Sequence, residues 1–247
     1  MADTAEQDGG TASGAAIQKL VERTIQRNIK GVEYFASAAP AVGLTAKDVI
    51  HKRGTLNLYH YKPLVEEVYR VPILMVMATT NRGYVFDIAE DHSFVRFLLN
   101  AGYDVFVMDW DAPRPEEKGL NLDSYANDFI GDCLRRVRET TGEQEVSLVG
   151  YCMGGVLSTI YAATHPDEPI KNLVCFTTPI DFSEMHLFAH MSQQKFFDVD
   201  RLVDSVGNAS PDLLLTSFDM LRPSGRVAAQ RTLWDNMWNS DLVEFQR

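Results

Sequence analysis

One short segment near the middle of the chain constrains the fold more than any other. Residues 150–155, with the sequence Gly-Tyr-Cys-Met-Gly-Gly, follow an apolar run at 146–149 and precede a helix-like segment at 156–164. This order predicts a sharp strand-to-helix turn that holds its central residue in a strained conformation. Gly150, Gly154 and Gly155 carry no side chains, so strand, turn and helix can approach closely. The segment therefore predicts a nucleophile elbow.

Cys152 is the predicted nucleophile of this elbow. The turn places its sulfur at a helix N-terminus, where unpaired N–H groups and the helix dipole favour a thiolate. The backbone N–H of Met153 is a predicted donor to the oxyanion that forms when the sulfur attacks a carbonyl. By analogy with folds that carry such an elbow, the second donor is expected around Thr80 or Asn81, after the first buried strand.

Strand-like and helix-like segments alternate along most of the chain. The sequence predicts strands at 55–61, 71–78, 103–110, 146–149 and 172–177, with helices at 87–100 and 122–141 between them. Such alternation is typical of a mostly parallel sheet with helices on both faces. Together with the elbow, it predicts the α/β-hydrolase fold. Asp109 ends one predicted strand, and we expect it to have a turn role rather than a chemical one.

The chain divides into three predicted regions. Residues 1–45 form a disordered lead and a helical arm, the arm covering 15–38. Residues 46–178 form the α/β core. Residues 179–247 carry scattered apolar side chains without strand alternation, which predicts the start of a helical cap. No later strand follows 172–177, so we expect that strand to have an unpaired edge and the C-terminal strands of the fold to be missing.

Composition excludes several classes of protein. A net charge of −11 without a basic cluster argues against nucleic-acid binding. No signal peptide is recognisable, and the apolar runs are shorter than the roughly 20 residues of a membrane-spanning helix. Three cysteines fit a reducing cytosol, with Cys133 and Cys175 expected to be small buried hydrophobes. No nucleotide, calcium or metal motif is present.

Several motifs in a fixed order point to one family. They are Asn81-Arg82-Gly83-Tyr84, Gly102-Tyr103-Asp104-Val105, Asp109-Trp110, Leu122-Asp123-Ser124-Tyr125, the elbow, His165-Pro166-Asp167 and Thr178-Pro179-Ile180-Asp181-Phe182. From about Val71 onward the chain resembles polyhydroxyalkanoate synthases, most closely the short type that works with a second subunit.

The resemblance implies an acyltransferase activity. Members of this family link 3-hydroxyacyl groups from coenzyme A thioesters into an intracellular polyester through a cysteine thioester. The resemblance therefore implies 3-hydroxyacyl-CoA as substrate, without a further cofactor. It also implies a second synthase subunit as partner, a possible homo-oligomer and a cytoplasmic location at the polyester granule.

The chain departs from the family after the cap. In polyhydroxyalkanoate synthases a catalytic aspartate and then a histidine follow the cap, whereas here no histidine occurs after His190. We expect His165 to be a capping residue at the far end of the elbow helix. His186 and His190 have the i, i+4 spacing of some zinc sites, but chance placement in the cap is the preferred interpretation. The sequence therefore predicts little or no polymerase activity for this chain alone.

Two alternatives stay open at this stage. A cysteine hydrolase of the dienelactone type uses a similar elbow, although the lack of a late histidine counts against it. The second alternative is a noncatalytic fragment that binds granules or a partner subunit.

Overall fold

The computed structural model describes residues 8–36, 42–183, 189–190, 192–193, 195–221 and 223–239. The chain forms two compact units, one made of residues 1–41 with 210–247 and the other of residues 42–209. The division into lead, core and cap at residues 45 and 178 stays a prediction.

The unit formed by residues 42–209 is built on a six-stranded sheet with the order β1-β2-β6-β3-β7-β8. A short hairpin, β4–β5, lies outside this sheet. The strands are β1 (Lys47–Arg53), β2 (Leu56–Tyr61), β3 (Ile73–Val76), β4 (Asp87–Ala89), β5 (His92–Ser93), β6 (Val105–Trp110), β7 (Val146–Tyr151) and β8 (Ile170–Phe176). The helices are α2 (Phe94–Asn100), α3 (Ile130–Thr141), α4 (Met153–Thr164) and α5 (Val199–Val206).

The predicted mostly parallel sheet is confirmed. β3 pairs in parallel with β6 and β7, and β7 pairs in parallel with β8. Only β1 and β2 are antiparallel additions at one edge. β3 and β6 are buried along their whole length, as continuous apolar runs in a covered parallel sheet should be. The predicted α/β-hydrolase fold is therefore found in the structure.

Helices pack on both faces of this sheet. On one face, the ring of Phe94 in α2 lies 5.6 Å from that of Phe176. On the other face, the Trp110 ring contacts Tyr125 at 5.2 Å and Phe129, just before α3, at 5.8 Å. Residues 124–129 form a π-helical turn that runs into α3, within the predicted helix at 122–141.

The predicted helix at 87–100 is wrong in its first half. Residues 87–93 form the β4–β5 hairpin, and only Phe94–Asn100 is helical. The Asp87 carboxylate is buried and accepts hydrogen bonds from the hydroxyls of Thr45, at 2.6 Å, and Ser93, at 2.7 Å. The Ser93 hydroxyl in turn accepts the Arg96 N–H at 3.0 Å and caps α2. These side-chain bonds fix a turn where apolar spacing alone favours a helix.

The two remaining cysteines differ in exposure. Cys133 is buried in α3, as predicted, and burial raises the pKa of its thiol above the ordinary range. Cys175 is exposed, so the prediction of a buried residue is wrong. Its strand, β8, is the last strand in the order of the sheet, and its outer edge is unpaired among the described residues. The predicted unpaired edge is therefore present in this part of the chain.

The unit formed by 1–41 and 210–247 is helical in its described part. It contains α1 (Asp8–Ala36), α6 (Pro211–Leu221) and α7 (Gly225–Asp235). The guanidinium of Arg27 lies over the ring of Trp234 at 5.4 Å, a cation–π contact that joins α1 to α7. The predicted disordered lead is corrected for residues 8–16, which are helical, while residues 1–7 lie outside the described part. None of the described helices is long and apolar enough to cross a bilayer.

The Asp87 network gives a stability prediction. Asp87→Ala leaves the Thr45 and Ser93 donors without their buried acceptor and should lower the free energy of unfolding by about 3 kcal/mol. Asp91→Ala, at an exposed position in the same hairpin, should change it by less than about 0.5 kcal/mol. Urea unfolding followed by circular dichroism measures both. Equal midpoints for the two variants would contradict the role given to Asp87.

Candidate active site

The elbow has the predicted geometry. β7 ends at Tyr151, α4 begins at Met153, and Cys152 alone connects them with φ 52° and ψ −118°. A positive φ strains a residue that has a Cβ atom, and such strain persists where the surroundings fix the backbone. Here the Cys152 N–H donates to the Phe176 carbonyl at 2.8 Å. The Cys152 side chain is partly exposed rather than sealed in the core.

The elbow glycines allow backbone-to-backbone contact. A Cβ atom on Gly150 would lie 2.6 Å from the Gly155 nitrogen. On Gly154 it would lie 2.7 Å from the carbonyl carbon of Val76, at the end of β3. Real Cβ atoms stay at least 3.0 Å from other heavy atoms, so a side chain at either position requires the backbone to move. The approach of α4 to β3 and β7 therefore depends on these glycines.

Gly155 is enclosed by a different neighbour. A Cβ atom there would lie 2.8 Å from Cγ2 of Thr178, which follows β8. The three glycines thus bring α4 against the carboxyl ends of β3, β7 and β8 at once.

One of the predicted oxyanion donors, Met153, lies at this junction. Met153 is the first residue of α4, so its N–H has no acceptor within the helix and is available to a ligand. The second donor was predicted in the loop after β3, which we call the β3 loop (residues 77–83). Within it, the Asn81 N–H donates to the Ala78 carbonyl at 3.1 Å. The Asn81 amide is therefore engaged in a turn, which leaves Thr80 as the better candidate of the two.

Of the described histidines, His165 is placed away from the sulfur. His165 is the C-terminal cap of α4, as predicted, and its ring stacks on Tyr161. With α4 12 residues long, the cap lies roughly 18 Å from the elbow. His190 contacts the ring of Phe196 at 4.7 Å, and His186 lies outside the described residues. No cluster of three or more histidine, cysteine, aspartate or glutamate side chains in the described part of the chain could hold a metal ion.

Aromatic side chains line the sheet face beside the elbow. The Tyr151 ring contacts Phe86 at 4.9 Å, and Phe86 contacts Phe94 at 5.6 Å. Phe94 and Phe176 continue into an apolar groove of about 750 Å³ that also includes Val149. The backbone of the elbow is thus backed by apolar groups on this side.

Sequence reasoning did not assign the charged side chains around the β3 loop. Asp109 is buried and accepts the Gly83 N–H at 2.6 Å, which agrees with its predicted turn role. The Arg82 guanidinium bridges Asp109, at 3.2 Å, and Asp111, at 3.0 Å. A hydrogen bond from Asn57 and the charge of Arg82 lower the pKa of the Asp111 carboxyl. The sequence signals for this cluster were the position of Asp109 at a strand's carboxyl end and the two motifs that contain Arg82 and Asp109.

Family comparisons agree with the fold. Residues 72–246 match the family described as alpha/beta hydrolase fold, and the chain belongs to that family. Residues 22–98 match the family described as the N-terminus of poly-beta-hydroxybutyrate polymerase (PhaC).

Curated relatives carry the name poly(3-hydroxyalkanoate) polymerase subunit PhaC. The protein from Haloferax mediterranei is 34% identical over 83% of this chain and 42% of its own length. The protein from Allochromatium vinosum is 38% identical over 78% of this chain and 55% of its own length. The protein from Synechocystis is 33% identical over 74% of this chain and 49% of its own length. The resemblance to polyhydroxyalkanoate synthases is confirmed, and the chain spans about half the length of these relatives.

The contact of Gly154 with β3 can be tested by adding one methyl group. Gly154→Ala should lower the free energy of unfolding by at least about 3 kcal/mol, because the β3 backbone must move. Gly119→Ala, where a Cβ would meet nothing within 4 Å, is the matched control and should stay within about 0.5 kcal/mol of the parent. Thermal unfolding measures both. A Gly154→Ala protein as stable as the control would mean that the close approach is absent.

The strain at Cys152 predicts an unusual order of stability. Cys152→Ala removes the thiol but keeps the Cβ atom, whereas Cys152→Gly removes both. Because glycine adopts a positive φ without steric cost, the glycine variant should be more stable than the alanine variant by about 1 kcal/mol. Chemical unfolding of the two proteins measures the difference. The reverse order is normal at unstrained positions and would argue against a strained elbow.

Proposed function

We propose that this chain carries the acyl-accepting half-site of a polyhydroxyalkanoate synthase. In this proposal, Cys152 takes a 3-hydroxyacyl group from its coenzyme A thioester. The observation that carries the proposal is the position of Cys152, partly exposed between β7 and the N-terminus of α4 at φ 52°. An elbow of this kind presents a nucleophile to a carbonyl group with a backbone donor alongside.

Acylation requires only the substrate and groups that this chain supplies. The Cys152 thiolate adds to the thioester carbonyl, and the resulting oxyanion accepts hydrogen bonds from the Met153 N–H and from a donor in the β3 loop. Collapse of this intermediate forms the Cys152 thioester and breaks the bond to the coenzyme A sulfur, which leaves as a thiolate. One thioester replaces another, so the acyl group remains activated for attack by a hydroxyl.

Chain growth needs a further group. Attack by a hydroxyl on the acyl-enzyme requires a base to remove the hydroxyl proton. His165 lies at the opposite end of α4, which makes it unsuitable, and we assign the role of this base to no other histidine of the chain. We therefore expect this chain alone to form the acyl-enzyme and to have little or no polymerase activity.

The names of the relatives support the choice of substrate and partner. All three relatives described above are named as poly(3-hydroxyalkanoate) polymerase subunits. From these names we extend to this chain a poly(3-hydroxyalkanoate) product and a second subunit. The family resemblance adds to the proposal a 3-hydroxyacyl-CoA substrate and a cytoplasmic site of action at the polyester granule. A homo-oligomer is compatible with the same proposal.

Incubation of the chain with 3-hydroxybutyryl-CoA tests the proposal. Intact-protein mass spectrometry should detect one hydroxybutyryl group per chain, and release of free coenzyme A should stop near one equivalent. Cys152→Ala should abolish the adduct. Cys175→Ser is the matched control, because Cys175 is exposed but lies outside the elbow, and this variant should be acylated as the parent is.

Other outcomes would identify the alternatives. Continuous release of 3-hydroxybutyrate would indicate a cysteine hydrolase, and insoluble polyester would indicate that the chain contains its own base. An adduct that persists in Cys152→Ala would refute Cys152 as the acyl acceptor. No adduct at all would refute it too and would favour a noncatalytic binding fragment.

A further inference from the structure

We propose that Asp109 and Trp110 are positioning residues for the oxyanion site. These consecutive residues at the carboxyl end of β6 fasten the two ends of the β3 loop and fix its amides relative to the elbow. The inference deepens the proposed function and rests on it, since it concerns the step in which Cys152 attacks an acyl carbon.

Asp109 fastens the far end of the loop. Its Oδ1 accepts the Gly83 N–H at 2.6 Å, and its Oδ2 accepts Nε of Arg82 at 3.3 Å. The Asp109 side chain is only 5% exposed. A buried carboxylate is tolerated when it is paired and hydrogen-bonded, and it holds its donors more tightly than a neutral acceptor does.

Trp110 fastens the near end. Its indole Nε1–H donates to the Met77 carbonyl at 2.9 Å, in a buried position. The ring itself is held by Tyr125 and Phe129. The Met77 carbonyl is therefore fixed by a donor that has little freedom to move.

The elbow packs against the same carbonyl. A Cβ atom on Gly154 would lie 2.8 Å from the Met77 oxygen, so this oxygen lies between the Trp110 indole and the first turn of α4. Because adjacent residues of a strand point to opposite faces, Asp109 and Trp110 reach the loop from the two faces of the sheet. The separation between the Met153 amide and the loop amides is thus set from both sides by one strand end.

Fixed donors matter for acyl transfer in particular. An oxyanion hole stabilises the transition state because its donors already point at the position of the developing charge, and loss of one donor costs about 10²–10³-fold in rate. Alkylation of the same sulfur by iodoacetamide is a displacement at a saturated carbon and forms no oxyanion. A comparison of the two reactions at Cys152 therefore separates positioning of the loop from general damage to the elbow.

The experiment uses the full chain with Cys175→Ser, so that Cys152 is the reactive thiol measured. Acylation is followed with p-nitrophenyl acetate, as the burst of p-nitrophenolate, and with 3-hydroxybutyryl-CoA. Alkylation by iodoacetamide is followed by mass. In Asp109→Ala and Trp110→Phe the acylation rate should fall at least about tenfold, while the alkylation rate changes by less than about threefold.

Two further variants serve as controls. Asp109→Asn keeps an oxygen that can accept the Gly83 N–H, so it should recover part of the acylation rate. Asp104→Ala removes an aspartate at the other end of β6 that pairs with His60 at 2.7 Å, and it should leave the ratio of acylation to alkylation unchanged. Circular dichroism confirms folding of each variant. If Asp109→Ala does not fold, Trp110→Phe carries the test, because it keeps an aromatic ring in place.

The outcomes separate this inference from the proposed function. The positioning role would be overturned if the ratio of acylation to alkylation were unchanged in folded Trp110→Phe and Asp109→Ala, or if both reactions were lost in parallel. Neither result would affect acylation of the parent by 3-hydroxybutyryl-CoA. A different result is a parent that is not acylated by 3-hydroxybutyryl-CoA, with variants that show a reduced ratio of acylation by p-nitrophenyl acetate to alkylation. That result would support the positioning role and refute the proposed substrate. A parent acylated by neither donor would refute both.

Discussion

The close approach of the α4 backbone to the ends of β3 and β7 is the constraint on which the rest of this site depends. Gly150 and Gly154 permit it, because any side chain there would overlap backbone atoms. The approach leaves Cys152 as a single residue between strand and helix, with a positive φ. The strained conformation directs the sulfur outward and places the Met153 amide beside it. The strained conformation at this position is therefore a consequence of backbone packing.

The charged groups at the carboxyl edge of the sheet have a supporting role. Asp109, Arg82 and Asp111 form a connected set of ion pairs around the β3 loop. Asp109 is the buried member of this set, and burial of its charge is offset by the Arg82 guanidinium and the hydrogen bond from the loop backbone. Through the bond from Gly83 to Asp109, this set holds the end of the β3 loop, in addition to stabilising the fold.

The elbow, the mostly parallel sheet and the burial of Cys133 were predictable from the sequence. Each depends on apolar runs or on neighbours within a few positions along the chain. The hairpin at 87–93 was not, because Asp87 is fixed by Thr45, 42 positions away. The exposure of Cys175 was not predictable either, because an apolar strand has the same residue pattern whether or not other elements cover its faces.

The sequence by itself determined the local chemistry, a cysteine on a glycine-flanked turn, because steric limits on the backbone act between adjacent residues. Tertiary structure alone decided which groups surround that turn. The bond from Gly83 to Asp109 joins residues 26 positions apart, and the bond from Trp110 to Met77 joins residues 33 positions apart. Contacts of this range arise only when the strands have assembled, and no local pattern in the chain encodes them.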